Sequence, residues 1–242
     1  DTSFGASHWP RSGLEHAVYE TAQYINYELI DEFPVGEDVK VMGLRRNGEL
    51  TLTVAMPFIA PRIGDATEYE EIKKAAEAAI QQYSAQLDDR KVKVMVNTAD
   101  DVAHDAVYLT LTGTSAEMGD DGAVGRGNRV NGVIAPFRST SLEAACGKNP
   151  ISHVGKVYNV LALLAAQDII ERVPTVRAVT VHVLSQIGAP LDQPLVATAL
   201  VHATNGHLTP SVQADVQSVL DEHLADVGSL RTRILNRELT LF

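Results

Sequence analysis

The side chains best suited to chemistry crowd into one stretch, residues 114–156. It holds Gly119, Gly122, Gly125, Gly127, Gly132, Gly147 and Gly155. Among them stand the acids Glu117, Asp120, Asp121 and Glu143 and the cations Arg126, Arg129, Arg138, Lys148 and Lys156. Glycine lets a backbone approach a ligand closely and take up positive φ. Spaced cations suit phosphate oxygens, and carboxylates suit Mg²⁺. The bare chemistry is that of a polyphosphate and metal site on a long loop.

The common scaffolds for such a site are absent. A P-loop needs G-x-x-x-x-G-K-[ST]; here Gly147-Lys148 is followed by Asn149, and Leu142 stands where the first glycine belongs. Gly125-Arg126-Gly127 is followed by Asn128-Arg129-Val130, which breaks the dinucleotide fingerprint. Each charge taken singly reads as a solvated loop residue. Together, beside an apolar helix, they read as a site. Lys148 lies just before that helix and Lys156 in its first turns, where a cation opposes the helix dipole. A phosphate placed there would satisfy both the dipole and the lysine. His153 has two readings, a ligand or base and a helix-start residue with one hydrogen bond. Asn97-Thr98-Ala99-Asp100-Asp101 reads as a polar turn before it reads as a metal site, and His182, His202 and His207 lack metal-ligand spacing. Cys146 is the single cysteine, expected as a small buried residue near a turn.

The elements that must position this stretch are legible from periodicity. Residues 1–10 are polar and turn-rich. A helix is expected over 12–31, with Ser12 and Glu15 spaced as a capping box. Two alternating runs, 39–42 and 50–54, flank Asn47-Gly48 and predict a hairpin. A helix follows over 67–88, then strands at 92–96 and 107–111. Beyond the charged loop come a buried helix over 153–172, strands at 179–184 and 195–201, a helix opened by Pro210, and a short helix with a tail over 230–242. Strand-strand-helix thus recurs over 39–88, 92–172 and 179–226. The pattern predicts an α+β fold of mostly antiparallel sheets with helices on one face. The expected portions are 1–113, a central-type α+β domain with an N-terminal helix; 114–152, the glycine-rich charged loop; and 153–242, a helix with a C-terminal α+β portion.

The 242 residues are 45% hydrophobic and 21% charged, ordinary for a globular protein, and carry a formal net charge of −11. That charge argues against a broad nucleic-acid or anionic-membrane surface, though not against a local cationic pocket. No apolar run reaches membrane-spanning length. No secretory leader is read, and a lone cysteine fits a reducing cytosol, so the expected location is the cytoplasm. The chain begins at Asp1 rather than Met, which reads as a piece of something longer.

Several segments carry a family resemblance. G-T-S-A-E-M-G-D-D-G-A-V-G-R-G-N-R-V-N-G (113–132) and L-E-A-A-C-G-K-N-P-I-S-H-V-G-K-V-Y-N (142–159) resemble archaeal-type S-adenosylmethionine synthetase. So do V-G-E-D-V-K-V-M-G-L-R (35–45), V-N-T-A-D-D (96–101) and L-S-Q-I-G-A-P-L-D-Q-P (184–194). The resemblance implies that ATP and L-methionine are the substrates. The methionine sulfur attacks C5′, and the displaced tripolyphosphate is hydrolysed to phosphate and pyrophosphate. It implies Mg²⁺ as cofactor and K⁺ as an activator in many members.

By motif, the resemblance places Asp120 on methionine, Arg126 on the polyphosphate and Lys148 on a phosphate or the nucleotide, the three taken as catalytic. Ser115, Glu117, Asp121, Arg129, Asn149, His153 and Lys156 are implied as substrate-binding, and Asp120 or Asp121 is the acid available to a metal. Arg129 takes the part of a lysine that bacterial members carry where this chain has Gly127. Arg45 or Arg46 replaces a further catalytic lysine. The family's N-terminal His-Pro-Asp motif and glycine-rich gating segment do not occur in this sequence. The chain therefore resembles roughly the C-terminal three-fifths of a full enzyme, and the family's dimeric site lets missing groups come from another subunit or chain. The alternative is a non-catalytic nucleotide-binding or regulatory partner of an active homologue.

Overall fold

The computed structural model describes residues 3–114, 127–239 and 241. It divides into two units, one of residues 11–122 and one that combines residues 1–10 with 123–242.

The 11–122 unit opens with α1 (Gly13–Tyr24), which runs through a π-helical turn (Ile25–Leu29) into the short α2 (Ile30–Glu32). The capping box at its start is complete. Ser12 Oγ accepts from the Glu15 N–H at 3.3 Å, and the Glu15 carboxylate accepts from the Ser12 N–H at 2.6 Å. The helix stops at extended Phe33, which Pro34 keeps out of the helical region.

The sheet of this unit is ordered β2-β3-β5. β2 (Lys40–Arg46) and β3 (Glu49–Ala55) form the expected hairpin, with Asn47 and Gly48 at φ 52° and 78°, the left-handed pair that a two-residue turn requires. β5 (Lys91–Val96) pairs with β3 in parallel, so α3 (Ala66–Ser84) is a crossover helix. β4 (Phe58–Ile59) pairs in parallel with β6 (Leu109–Thr110). The core alternates along the strands: Leu50, Leu52 and Val54 with Val92, Val94 and Val96 pack against Ile25, Leu29, Tyr69, Ala76 and Ile80.

This corrects one expectation. The second strand-strand-helix unit, 92–172, does not form, because β5 completes the first sheet and the strand expected over 107–111 is reduced to the two residues of β6.

The other unit is organised on α4 (Val154–Arg172). One side of α4 packs on a sheet ordered β1-β7-β8 and another on α5 (Pro210–Ala225) and α6 (Val227–Leu235). A helix covered on both sides reads apolar all round, as α4 does from Val160 to Ala166. β7 (Val176–Leu184) and β8 (Val196–Ala203) are antiparallel, and β1 (Phe4–Trp9) adds antiparallel to β7.

β1 was expected as a polar, turn-rich segment of the 1–113 portion; it is a strand of this unit. Two of its buried polar groups, the Ala6 N–H and the His8 ring, meet partners on α4 and its flank. The Ala6 N–H donates to Asn159 Oδ1 at 3.1 Å, and Asn131 Nδ2 lies 3.4 Å from His8 Nε2. Gly5 permits the contact: a Cβ there would lie 2.4 Å from the Tyr158 main-chain carbonyl carbon. The result is the mixed α+β class, with mostly antiparallel pairing, expected from the pattern.

Candidate functional site

Residues 127–156 form a strapped loop that ends on the first turn of α4. Arg129 lies near its start and is buried. Its Nη2 donates to the Gly127 carbonyl at 2.7 Å and its Nη1 to the Ser141 carbonyl at 2.8 Å. Burial lowers the guanidinium pKa from its ordinary value. Arg129 was expected to stand in for a substrate lysine; its guanidinium fastens the two ends of 127–141 instead of standing open.

The second strap comes from α4. Lys156 is buried, and its Nζ donates to the Lys148 carbonyl at 3.0 Å. The Asn149 side-chain carbonyl accepts from the N–H groups of Ile151 and Ser152 at 2.8 and 3.2 Å, and the Asn149 main-chain carbonyl accepts from His153 N at 3.2 Å. These bonds make a compact turn before the helix. Lys148 is half-buried, and its Nζ has no acceptor among the described residues. It is the ammonium of this loop best placed to meet an external anion.

His153 is the N-cap of α4, with Nδ1 accepting from Lys156 N at 3.4 Å. The same nitrogen lies 3.6 Å from Glu143 Oε2. The cap requires a lone pair on Nδ1, whereas an ion pair with Glu143 requires a proton there. The two contacts are therefore alternatives, and both are long. Of the two readings of His153, the helix-start role is the one its geometry fits. Glu143, which the sequence placed among the acids without a role, lies directly against this helix start.

Cys146 is exposed, contrary to the expectation of a buried residue. Packing around its sulfur still raises the thiol pKa from its ordinary value, with Lys156 acting in the opposite direction, so it is not an activated nucleophile. Ser115, Glu117, Asp120, Asp121 and Arg126 lie outside the described residues. Among the described residues no group of three or more His, Cys, Asp or Glu side chains could hold a metal ion. The described part of the loop thus offers the Lys148 ammonium to an anion and, among the described residues, no acid or histidine cluster for Mg²⁺.

In the 11–122 unit, the 96–101 turn carries a half-buried polar network centred on Asp100 and the buried Asn97. Asp100 Oδ2 accepts from Tyr69 Oη and from Lys73 Nζ, both at 2.6 Å, and Oδ1 accepts from the Tyr108 N–H at 3.2 Å. Burial and the Asp100 carboxylate push the Tyr69 phenol far above its ordinary range. Asn97, at φ 46°, exchanges two bonds of 2.9 Å with the Met56 backbone. This turn is therefore a structural knot. Gly113, the last glycine before the charged stretch, is pressed on Gly36: a Cβ on Gly36 would lie 2.0 Å from Gly113 Cα. Arg45 and Arg46 stand exposed at the end of β2.

A family model described as S-adenosylmethionine synthetase (AdoMet synthetase) matches residues 1–238. The chain is 48% identical over 244 aligned positions to an S-adenosylmethionine synthase of Pyrococcus furiosus, with 100% of this chain and 61% of the relative covered. It is 44% identical over 243 positions to that of Methanosarcina barkeri, again covering 100% of this chain and 61% of the relative. The chain thus spans about three-fifths of the length of the curated relatives it matches. No helix among the described residues is long and apolar enough to cross a membrane.

Proposed function

Because the chain belongs to the S-adenosylmethionine synthetase family, we propose that it forms the tripolyphosphate and methionine side of a methionine adenosyltransferase site. The observation that carries this reading is Lys148. Its loop is strapped by Lys156, Arg129 and the Asn149 turn, while its own ammonium has no acceptor among the described residues.

In the proposed reaction the methionine sulfur attacks C5′ of ATP and the C5′–O5′ bond breaks. The electron pair of that bond leaves with the triphosphate, and sulfur becomes a sulfonium. Water then cleaves the triphosphate to phosphate and pyrophosphate. Charge grows on the leaving oxygens, so fixed cations placed beforehand lower the barrier, and in-line positioning supplies much of the rest. Lys148 and Arg126 are assigned to the polyphosphate and Asp120 to the methionine amino group. Asn149, His153 and Lys156 shape the turn that presents Lys148. Ser115, Glu117 and Asp121 are assigned to substrate by the family motif alone. Mg²⁺, with K⁺ as activator, is proposed from the family and would supply charge neutralisation on phosphate oxygens. Asp120 or Asp121 would be the acid available to it.

The chain spans 61% of its relatives' length, and the family's His-Pro-Asp motif is not in this sequence. We therefore propose that the N-terminal portion, from the same polypeptide or a partner chain, completes the site in an oligomer. The same observation supports the second reading, a non-catalytic nucleotide-binding or regulatory partner of an active homologue. A cytoplasmic location is proposed with both.

The test is S-adenosylmethionine formation by the complete protein carrying Lys148→Ala or Arg126→Ala, with melting temperature followed in parallel. Turnover should fall by about a hundredfold or more at nearly constant melting temperature, as expected on removing a charge-stabilising donor. A pure stability loss would assign both residues to the fold.

A further inference from the structure

The chemistry assigned above leaves Glu143 without a role. Its N–H donates to Ser141 Oγ at 3.2 Å, and its side chain reaches the first turn of α4. There Oε2 is buried with no hydrogen-bond partner among the described residues, 3.6 Å from His153 Nδ1. It fills the space that Gly155 leaves: a Cβ on Gly155 would lie 1.6 Å from Oε2 and 2.5 Å from the carboxyl carbon. Gly155 sits within α4, so the absence of a side chain, not conformational freedom, is what this position uses. A buried carboxylate oxygen without a donor is costly and calls for an explanation. The helix dipole offsets part of that cost.

The position in the loop supplies a reason. Arg129 holds the Ser141 carbonyl, and Lys156 holds the Lys148 carbonyl. Between these two straps, Glu143 seats the stretch on α4 together with the buried Ala145, and it is the polar contact of the two. Its carboxylate also occupies the helix start, the place where an anion would otherwise be expected. A phosphate is therefore not needed there to complement the dipole.

We propose that Glu143 is a positioning residue: seated on Gly155 beside His153, it fixes the course of residues 141–153 and so the place of the Lys148 ammonium. This rests on the reading of Lys148 as a polyphosphate contact. It carries a sign that simple electrostatics would reverse. Removing a negative charge near a polyphosphate should tighten anion binding. Removing a positioning strut should weaken it, whether or not charge is lost.

The experiment is isothermal titration of inorganic tripolyphosphate into the native chain and into Lys148→Ala, Glu143→Gln, Glu143→Asp and Glu143→Ala, each checked by thermal melting. Lys148→Ala should bind about tenfold more weakly. Glu143→Gln keeps the reach without the charge and should stay within about twofold of native. Glu143→Asp keeps the charge but falls short of Gly155, and should lose about fivefold or more, as should Glu143→Ala. If Glu143→Ala does not fold, the Gln and Asp pair still decides. Native binding by Glu143→Asp with altered binding by Glu143→Gln would overturn the proposal, and so would equal or tighter binding by Glu143→Ala. In both cases a weakened Lys148→Ala would leave the polyphosphate reading standing. If Lys148→Ala binds like the native chain, the polyphosphate reading fails and the Glu143 proposal with it.

Discussion

The Lys156 ammonium donates to the Lys148 main-chain carbonyl at 3.0 Å, so two lysines eight residues apart have opposite roles. One is a buried brace. The other projects from the turn that the brace supports.

These roles separate stability from chemistry. Lys156→Ala removes a charge-assisted bond in a buried setting and should cost about 1.5–3 kcal/mol in urea unfolding. Lys148→Ala removes an ammonium with no acceptor among the described residues and should change stability by less than about 0.5 kcal/mol. Unfolding curves of the two variants, run side by side, check the assignment. Equal losses would contradict it.

The Asp100 network should contribute measurably to the stability of the 11–122 unit. Asp100→Ala leaves Lys73 and Tyr69 without their shared acceptor and should cost about 3–5 kcal/mol. Tyr69→Phe removes one bond to a carboxylate and should cost about 1.5–3 kcal/mol. Chemical denaturation of each variant, and of the double variant, measures both the losses and their coupling.

Gly36→Ala should be damaging despite its small size. The new methyl would meet the Gly113 backbone, which cannot swing aside as a side-chain tip could. A loss of about 1–3 kcal/mol is expected from overpacking of this kind. Because Gly113 is the root of the charged stretch, the turnover of the complete protein should fall as well. Thermal melts and product assays on the same preparation test both parts.

The acid limb of stability should involve Glu222. Its hydrogen bonds from Arg172, aided by Ser218, hold the carboxyl at about 2, below its ordinary 4.5. A lowered folded-state pKa stabilises the fold above the unfolded value, and the contribution is lost as pH falls through the folded value. Stability should therefore decline between about 4.5 and about 2. The pair is exposed, so the effect should be small and salt-sensitive. Melting temperature against pH for native and Arg172→Gln protein, at low and high salt, should show a shallower acid decline in the variant.

Local physics was legible in the sequence wherever one element decided its own conformation. The Ser12–Glu15 box, the Asn47-Gly48 turn, the Pro210 helix start and the apolar run of α4 are set by short-range signals. β1 was missed because its burial depends on Asn159 and Asn131, more than a hundred residues away. The parallel pairing of β5 with β3 left no mark in periodicity, since alternation is the same for either direction. In the candidate site, residue type identified the loop but not the division of labour. Arg129 and Lys156 look like Lys148 in the sequence, and burial with carbonyl acceptors sets them apart. Glu143 could be found only through Gly155, a helix glycine whose missing side chain makes room for it.

The most direct test of the account is S-adenosylmethionine formation from ATP, L-methionine and Mg²⁺ by this chain, alone and together with the N-terminal portion of the family. Product is expected when both portions are present, and little or none from this chain alone. Absence of product in both states, with folding intact by circular dichroism, would contradict it and leave the non-catalytic reading.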